Sequence, residues 1–104
     1  MARSRFRVTG RVQGVGFRSW TVRAARSLGL AGWVRNLPDG SVELEAHGPD
    51  EHMAALREAL WKGPLFARVT GVDEQPFQDA PHGPESPAPT ADATDIPQDF
   101  HIRF

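Results

Sequence analysis

The stretch Gly10-Arg11-Val12-Gln13-Gly14-Val15-Gly16-Phe17-Arg18 places three glycines within seven residues and ends on an arginine. That glycine density is too high for the interior of a helix or strand, so these residues form a connection. A glycine-rich turn leading into a helix can aim successive backbone N–H groups at one point. The helix start adds unpaired donors and the positive end of its dipole. Glycine also lets the backbone approach a ligand with no Cβ in between. Arg18, at that helix start, would add a forked, charge-assisted contact suited to phosphate oxygens. The chemistry is oxyanion binding. A tight connection whose glycines only turn the chain fits the same residues, and composition alone does not choose between the two.

The remaining reactive side chains form no rival constellation. His47, His52, His82 and His101 lack ligand spacing and plausible neighbouring carboxylates, and there is no cysteine, so no metal site is expected. Ser19 has no histidine–acid set to make it a nucleophile. Glu43 and Glu45, two apart, belong on a solvated strand face, where cross-strand charge pairing with His47, His101 and Arg103 is expected. Trp20, Trp33 and Trp61 read as core or groove walls.

The elements that must position the loop follow from periodicity. Arg5 to Thr9 alternates as a half-buried strand. Phe17, Thr21, Ala24 and Leu28 then recur at steps of four, three and four, one face of a helix that Gly29 ends. Ala31 to Leu37 reads as a second strand, Pro38-Asp39-Gly40 as a turn, and Ser41 to His47 as its hairpin partner with Val42, Leu44 and Ala46 inward. Gly48-Pro49 breaks the chain. Asp50 is expected to N-cap a second helix with the buried stripe Met53, Leu56 and Leu60, closed by Lys62 and Gly63. Ala67 to Asp73 reads as a fourth strand, and the spacing of Val69 and Val72 around Gly71 suggests a bulge.

Five prolines fall within 78–99, which reads as a mobile connection, and Phe100 to Phe104 alternates again as a last strand. The stretch 78–99 fully extended spans up to about 73 Å, against about 20 Å for the width of five strands. It can therefore bring the last strand beside the second and parallel to it. The predicted order is β-α-β-β-α-β with an additional C-terminal strand. With both helices on one face, this makes an α+β, ferredoxin-like two-layer sandwich in a single domain, 1–104.

Composition narrows the classes. The 104 residues carry 12 Lys+Arg against 13 Asp+Glu, a net charge of −1 that argues against nucleic acid and a polybasic membrane anchor as partners. RNA-recognition domains share the element order, but Glu43 and Glu45 stand where their stacking aromatics would lie. With no apolar run long enough to span a bilayer, no leader-like start and no cysteine, a cytoplasmic protein is expected.

The loop Gly10 to Arg18, followed by Gly32-Trp33-Val34-Arg35-Asn36, resembles the acylphosphatase family. Pro38-Asp39-Gly40-Ser41-Val42-Glu43, Gly48-Pro49, Lys62-Gly63-Pro64 and the Phe-x-Ile-Arg-aromatic ending extend the likeness. The resemblance implies a small ferredoxin-like enzyme that hydrolyses the carboxyl-phosphate anhydride of acyl phosphates, with no metal, cofactor or covalent intermediate. By position it makes Arg18 the phosphate-binding arginine and Asn36 the residue that positions the water. Gln13, Gly14, Val15, Gly16 and Phe17 become the backbone donor loop. It also points the Phe104 carboxylate at Arg18 as an orienting group. Apart from the resemblance, Trp33, three residues before Asn36, is a candidate for lining the entrance of the acyl group, as an alternative to a core position. Leu37 departs from the family's frequent threonine. The implied partners are a small acyl phosphate and inorganic phosphate as product inhibitor, acting on a monomer. Similar segments also begin larger hydrogenase-maturation proteins; with no zinc-finger pattern after Phe104, the free-standing enzyme is expected.

Overall fold

The computed structural model describes residues 1–76 and 100–103. The expectations for 78–99 and for Phe104 lie outside these residues. Seven elements run in the order β1 (Ala2–Arg11), α1 (Phe17–Ser27), β2 (Ala31–Asn36), β3 (Val42–Gly48), α2 (Asp50–Lys62), β4 (Arg68–Pro76) and β5 (Phe100–Ile102). The strands make one sheet ordered β4-β1-β3-β2-β5. β1 is antiparallel to both β3 and β4, and β2 is antiparallel to β3. β5 runs parallel to β2, as expected, with Gly32 opposite Phe100 and Val34 opposite Ile102. The Arg103 N–H continues that pairing onto the Val34 carbonyl at 2.8 Å.

Alternation along the strands separates the two faces. Phe6, Val8, Val34, Val42, Leu44, Ala46 and Phe100 point to one side, where they meet Phe17 and Ala25 of α1 and Met53, Leu56 and Leu60 of α2 in one buried cluster. Thr21 shares that burial by returning its hydroxyl to the Phe17 carbonyl at 2.8 Å. This is the expected α+β two-layer sandwich. Neither helix is long and apolar enough to cross a membrane.

The opposite face is charged and matched. Arg3 and Arg5 reach Glu45 at 2.6 and 3.3 Å, and Arg35 reaches Glu43 at 2.7 Å. The expected cross-strand pairing is therefore present, although arginines rather than His47 carry most of it. Contrary to expectation the face is not solvated at Glu45, because Arg3 and Arg5 cover that carboxylate and leave the residue only 5% exposed. At one edge, Arg57 of α2 grips Glu74 through two nitrogens at 2.5 and 2.9 Å, and the Ser4 hydroxyl donates to the same carboxylate at 2.7 Å. The hydrogen bonds from Arg57 hold the Glu74 carboxyl below the usual carboxylate range, against the opposing pull of partial burial.

The bulge lies in β4, one residue before the glycine that suggested it. Thr9 faces Gly71 while Gly10 faces Val69, leaving Thr70 as the extra residue. A Cβ on Gly10 would stand 2.1 Å from the Arg68 carbonyl oxygen, so the crossing requires glycine at that point. Three expectations are corrected. Pro49, not Asp50, is the N-cap of α2; Asp50 and Glu51 instead sit in its first turn, where they complement the dipole. Ala25 rather than Ala24 is the fully buried alanine of α1. Trp61 is 51% exposed and belongs to neither core nor groove.

Candidate active site

The site grows from the way α1 begins. Gly16 is its N-cap in the left-handed region, φ 79°, and Gly14 two residues earlier has φ 77°. Two left-handed residues so close together curl the chain tightly, a conformation that side chains with a Cβ strain to adopt. The first intrahelical bond runs from the Trp20 N–H to the Gly16 carbonyl at 3.0 Å. The N–H groups of Phe17, Arg18 and Ser19 thus precede the helix's own ladder. No side chain caps this end and no acid sits in its first turn, so the helix's own first residues do not neutralise the dipole there.

These donors open onto a cavity of about 130 Å³ lined by Val12, Gly14, Gly16, Phe17, Arg18, Ser19, Asn36 and Ile102. That volume is small beside the roughly 300–1,000 Å³ of pockets for drug-sized ligands, and suits a small group. Arg18 and Asn36, eighteen positions apart in sequence, meet here because β2 ends beside the start of α1. Among the described lining residues there is no carboxylate. Larger hollows of about 430 and 400 Å³ lie along β1 and β4, but Glu74 lines one and Glu43 and Asp73 line the other. Arg5 lines both and Arg7 the second, so the acids there stand beside bases rather than leaving an excess of donors.

Of the residues expected to form the donor loop, Gly14, Gly16 and Phe17 stand in the cavity wall, and Gln13 and Val15 are not among its described lining. Gln13 turns its side chain away: Nε2 donates to the carbonyls of Leu37 at 2.8 Å and Ser41 at 2.9 Å. No spacing in the sequence announces those bonds. The hairpin it touches is closed by its own backbone, with Leu37 N–H bonded to the Ser41 carbonyl and Gly40 N–H to the Leu37 carbonyl. Asp39 accepts from the Ser41 hydroxyl at 2.6 Å and the Ser41 N–H at 2.9 Å, and Arg7 adds an ion pair. The hydrogen bonds from Ser41 hold the Asp39 carboxyl below its ordinary value.

Ile102 was not anticipated as a wall; it arrives because β5 lies parallel to β2 and carries the chain toward Asn36. The Arg26 guanidinium fastens α1 to this strand through the Phe100 carbonyl at 3.0 Å. Trp33 is buried, as expected of a core or groove wall, but it does not line this cavity. It lies on the outer sheet face, 5% exposed, with the guanidinium groups of Arg103, Arg35 and Arg5 at 4.5, 5.4 and 5.9 Å from the ring centre. A strand residue three positions from Asn36 must point to the other side.

A family model described as acylphosphatase matches residues 4–84. The chain belongs to the acylphosphatase family. The acylphosphatase of Nitratidesulfovibrio vulgaris (strain Hildenborough) is 51% identical over 106 residues, spanning 100% of this chain and 92% of that protein. The crystal structure of acylphosphatase from Bacillus subtilis superposes with a TM-score of 0.81 at 34% identity, covering 100% of both chains. HypF of T. kodakarensis has the same fold over 12% of its length, with a TM-score of 0.74 and 28% identity. Like its relatives, this acylphosphatase-family chain is an enzyme of the acylphosphatase type, and its substrate is a small acyl phosphate.

Proposed function

We propose that acyl phosphate hydrolysis runs in the 130 Å³ cavity, with Arg18 and the loop amides holding the phosphoryl group and Asn36 holding the attacking water. The observation that supports this reading is the convergence of three things on one space: the uncapped start of α1, Arg18, and Asn36. In an acyl phosphate the leaving group is a carboxylate whose conjugate acid has a pKa of about 4–5. It departs with the bonding electrons of the P–O bond and needs no general acid. What is left is to gather charge on the phosphoryl oxygens and to aim a water in line.

Arg18 and the N–H groups around Gly14 to Phe17 supply the electrostatic part. The Asn36 carboxamide accepts from the water through its oxygen and donates to the phosphate through its nitrogen. Asparagine is too weak a base to take the proton, so a phosphoryl oxygen receives it. The products are a carboxylate and inorganic phosphate, the latter competing for the same cradle. In this reading the chain is one domain, works as a monomer in the cytoplasm, and uses no metal or cofactor. Acetyl phosphate hydrolysis by protein dialysed against EDTA tests it. Turnover should persist, with inorganic phosphate as a competitive inhibitor; turnover that returns only on adding a metal would overturn the mechanism.

A further inference from the structure

We propose that Gln13 is a positioning residue that sets Asn36 against the phosphoryl cradle. The inference rests on the roles proposed above for Arg18 and Asn36. The Nε2 group of Gln13 faces two carbonyl oxygens, those of Leu37 and Ser41, at 2.8 and 2.9 Å. Both acceptors are carbonyls, so only the amide nitrogen can face them, and both of its hydrogens are used. Leu37 directly follows Asn36.

The hairpin does not need these bonds to hold together. The Leu37 and Ser41 carbonyls already accept from Gly40 and Leu37 N–H groups, and Asp39 braces the turn through Ser41. The loop is likewise fixed from its own side, with Val12 buried in the core just before Gln13 and Phe17 buried just after it. Two self-sufficient pieces are therefore joined by one side chain. What the joint determines is their relative placement: the cradle and Arg18 on one piece, Asn36 on the other. Removing it leaves each piece intact and lets the water-holding group drift from the phosphorus it serves.

Phosphate affinity should then survive while the chemical step suffers. In Gln13→Leu we expect kcat to fall about ten- to hundredfold, with the inhibition constant for inorganic phosphate within about twofold of wild type. Gln13→Glu keeps the shape but offers no donor to the carbonyls, and should lose at least as much. In an Asn36→Ala background, Gln13→Leu should cost no more than about twofold further, because both changes remove the same positioned water. Wild-type kcat in Gln13→Leu and Gln13→Glu, with only a lowered Tm, would reduce the residue to a structural tie. Equal losses in both backgrounds would show that Gln13 does not act through Asn36. Asn36→Ala with wild-type kcat would instead sink the role of Asn36 itself, and this inference with it.

Discussion

Arginine is used in two ways in this chain, on two regions that share the same sheet. On the outer face, Arg3, Arg5 and Arg35 each meet Glu43 or Glu45 across a strand, and three guanidinium groups surround Trp33. At the start of α1, Arg18 joins backbone donors around a cavity with no carboxylate among its described walls. The sheet face spends its positive charge on fixed partners and becomes an inert cover. At the loop end Arg18 stands with the start of α1 and Asn36 around one cavity, which the reading proposed above makes the receptor for an anion. What separates the two is the company each arginine keeps: glutamates on the sheet face, and among the described walls at the loop end glycines, Ser19 and Asn36.

The sharpest way to break this comparison is to remove one arginine from each region. Arg18→Ala should lower kcat/KM by well over tenfold and abolish inhibition by phosphate, and Arg18→Lys should fail too, since a point charge cannot replace the fork. Arg35→Ala should leave kcat/KM within about twofold and reduce stability by about 0–1 kcal/mol, the worth of a largely solvated pair. Similar kinetics for the two alanine variants would erase the distinction between receptor and cover.

Within the receptor, Asn36 divides from Arg18. Asn36→Ala should collapse kcat while phosphate still inhibits within about threefold of wild type, since cradle and arginine remain. Asn36→Asp, which adds a negative charge beside the phosphoryl group, should weaken phosphate binding as well. If Arg18→Ala and Asn36→Ala lose phosphate affinity alike, the two residues share one task rather than two.

The smallest expected effect concerns the matched charges. Arg57 and Ser4 hold the Glu74 carboxyl below its ordinary value, so folding favours its ionised form. That contribution is complete above the unfolded carboxylate's pKa and disappears as pH falls through the lower folded value. Glu74→Gln should therefore be slightly less stable than wild type near neutrality, by no more than about 1 kcal/mol because the pair is partly solvated. The gap should close on acidification. Denaturant titrations at several pH values measure it, and a gap independent of pH would contradict the linkage.

Much of this arrangement is legible in residue order, and the failures have physical causes. Alternation and turn residues predict all seven elements, but β1 and β4 extend past the alternating cores to Ala2–Arg11 and Arg68–Pro76. Their mutual pairing, Ser4 opposite Pro76, holds residues that no local pattern assigns to a strand. The glycines and Arg18 announce an anion site because their chemistry is local. The bonds of Gln13 cross 24 and 28 positions, and only the packed structure creates them. Trp33 was decidable in advance, since odd spacing from Asn36 within one strand fixes opposite faces.

The position of β1 between β3 and β4 also governs how the chain is assembled. Its partners along one edge begin at Val42, and along the other edge at Arg68. This first strand of the sheet therefore waits for residues 42–48 to fill one row of its backbone donors and acceptors, and for residues 68–76 to fill the other. Contacts of such long sequence separation are slow to close, so helix formation precedes sheet completion and nascent chains present an open, pairing-competent ribbon meanwhile. The alternating arginines Arg3, Arg5 and Arg7 lie on that ribbon, and their like charges keep two unfinished copies from zipping together.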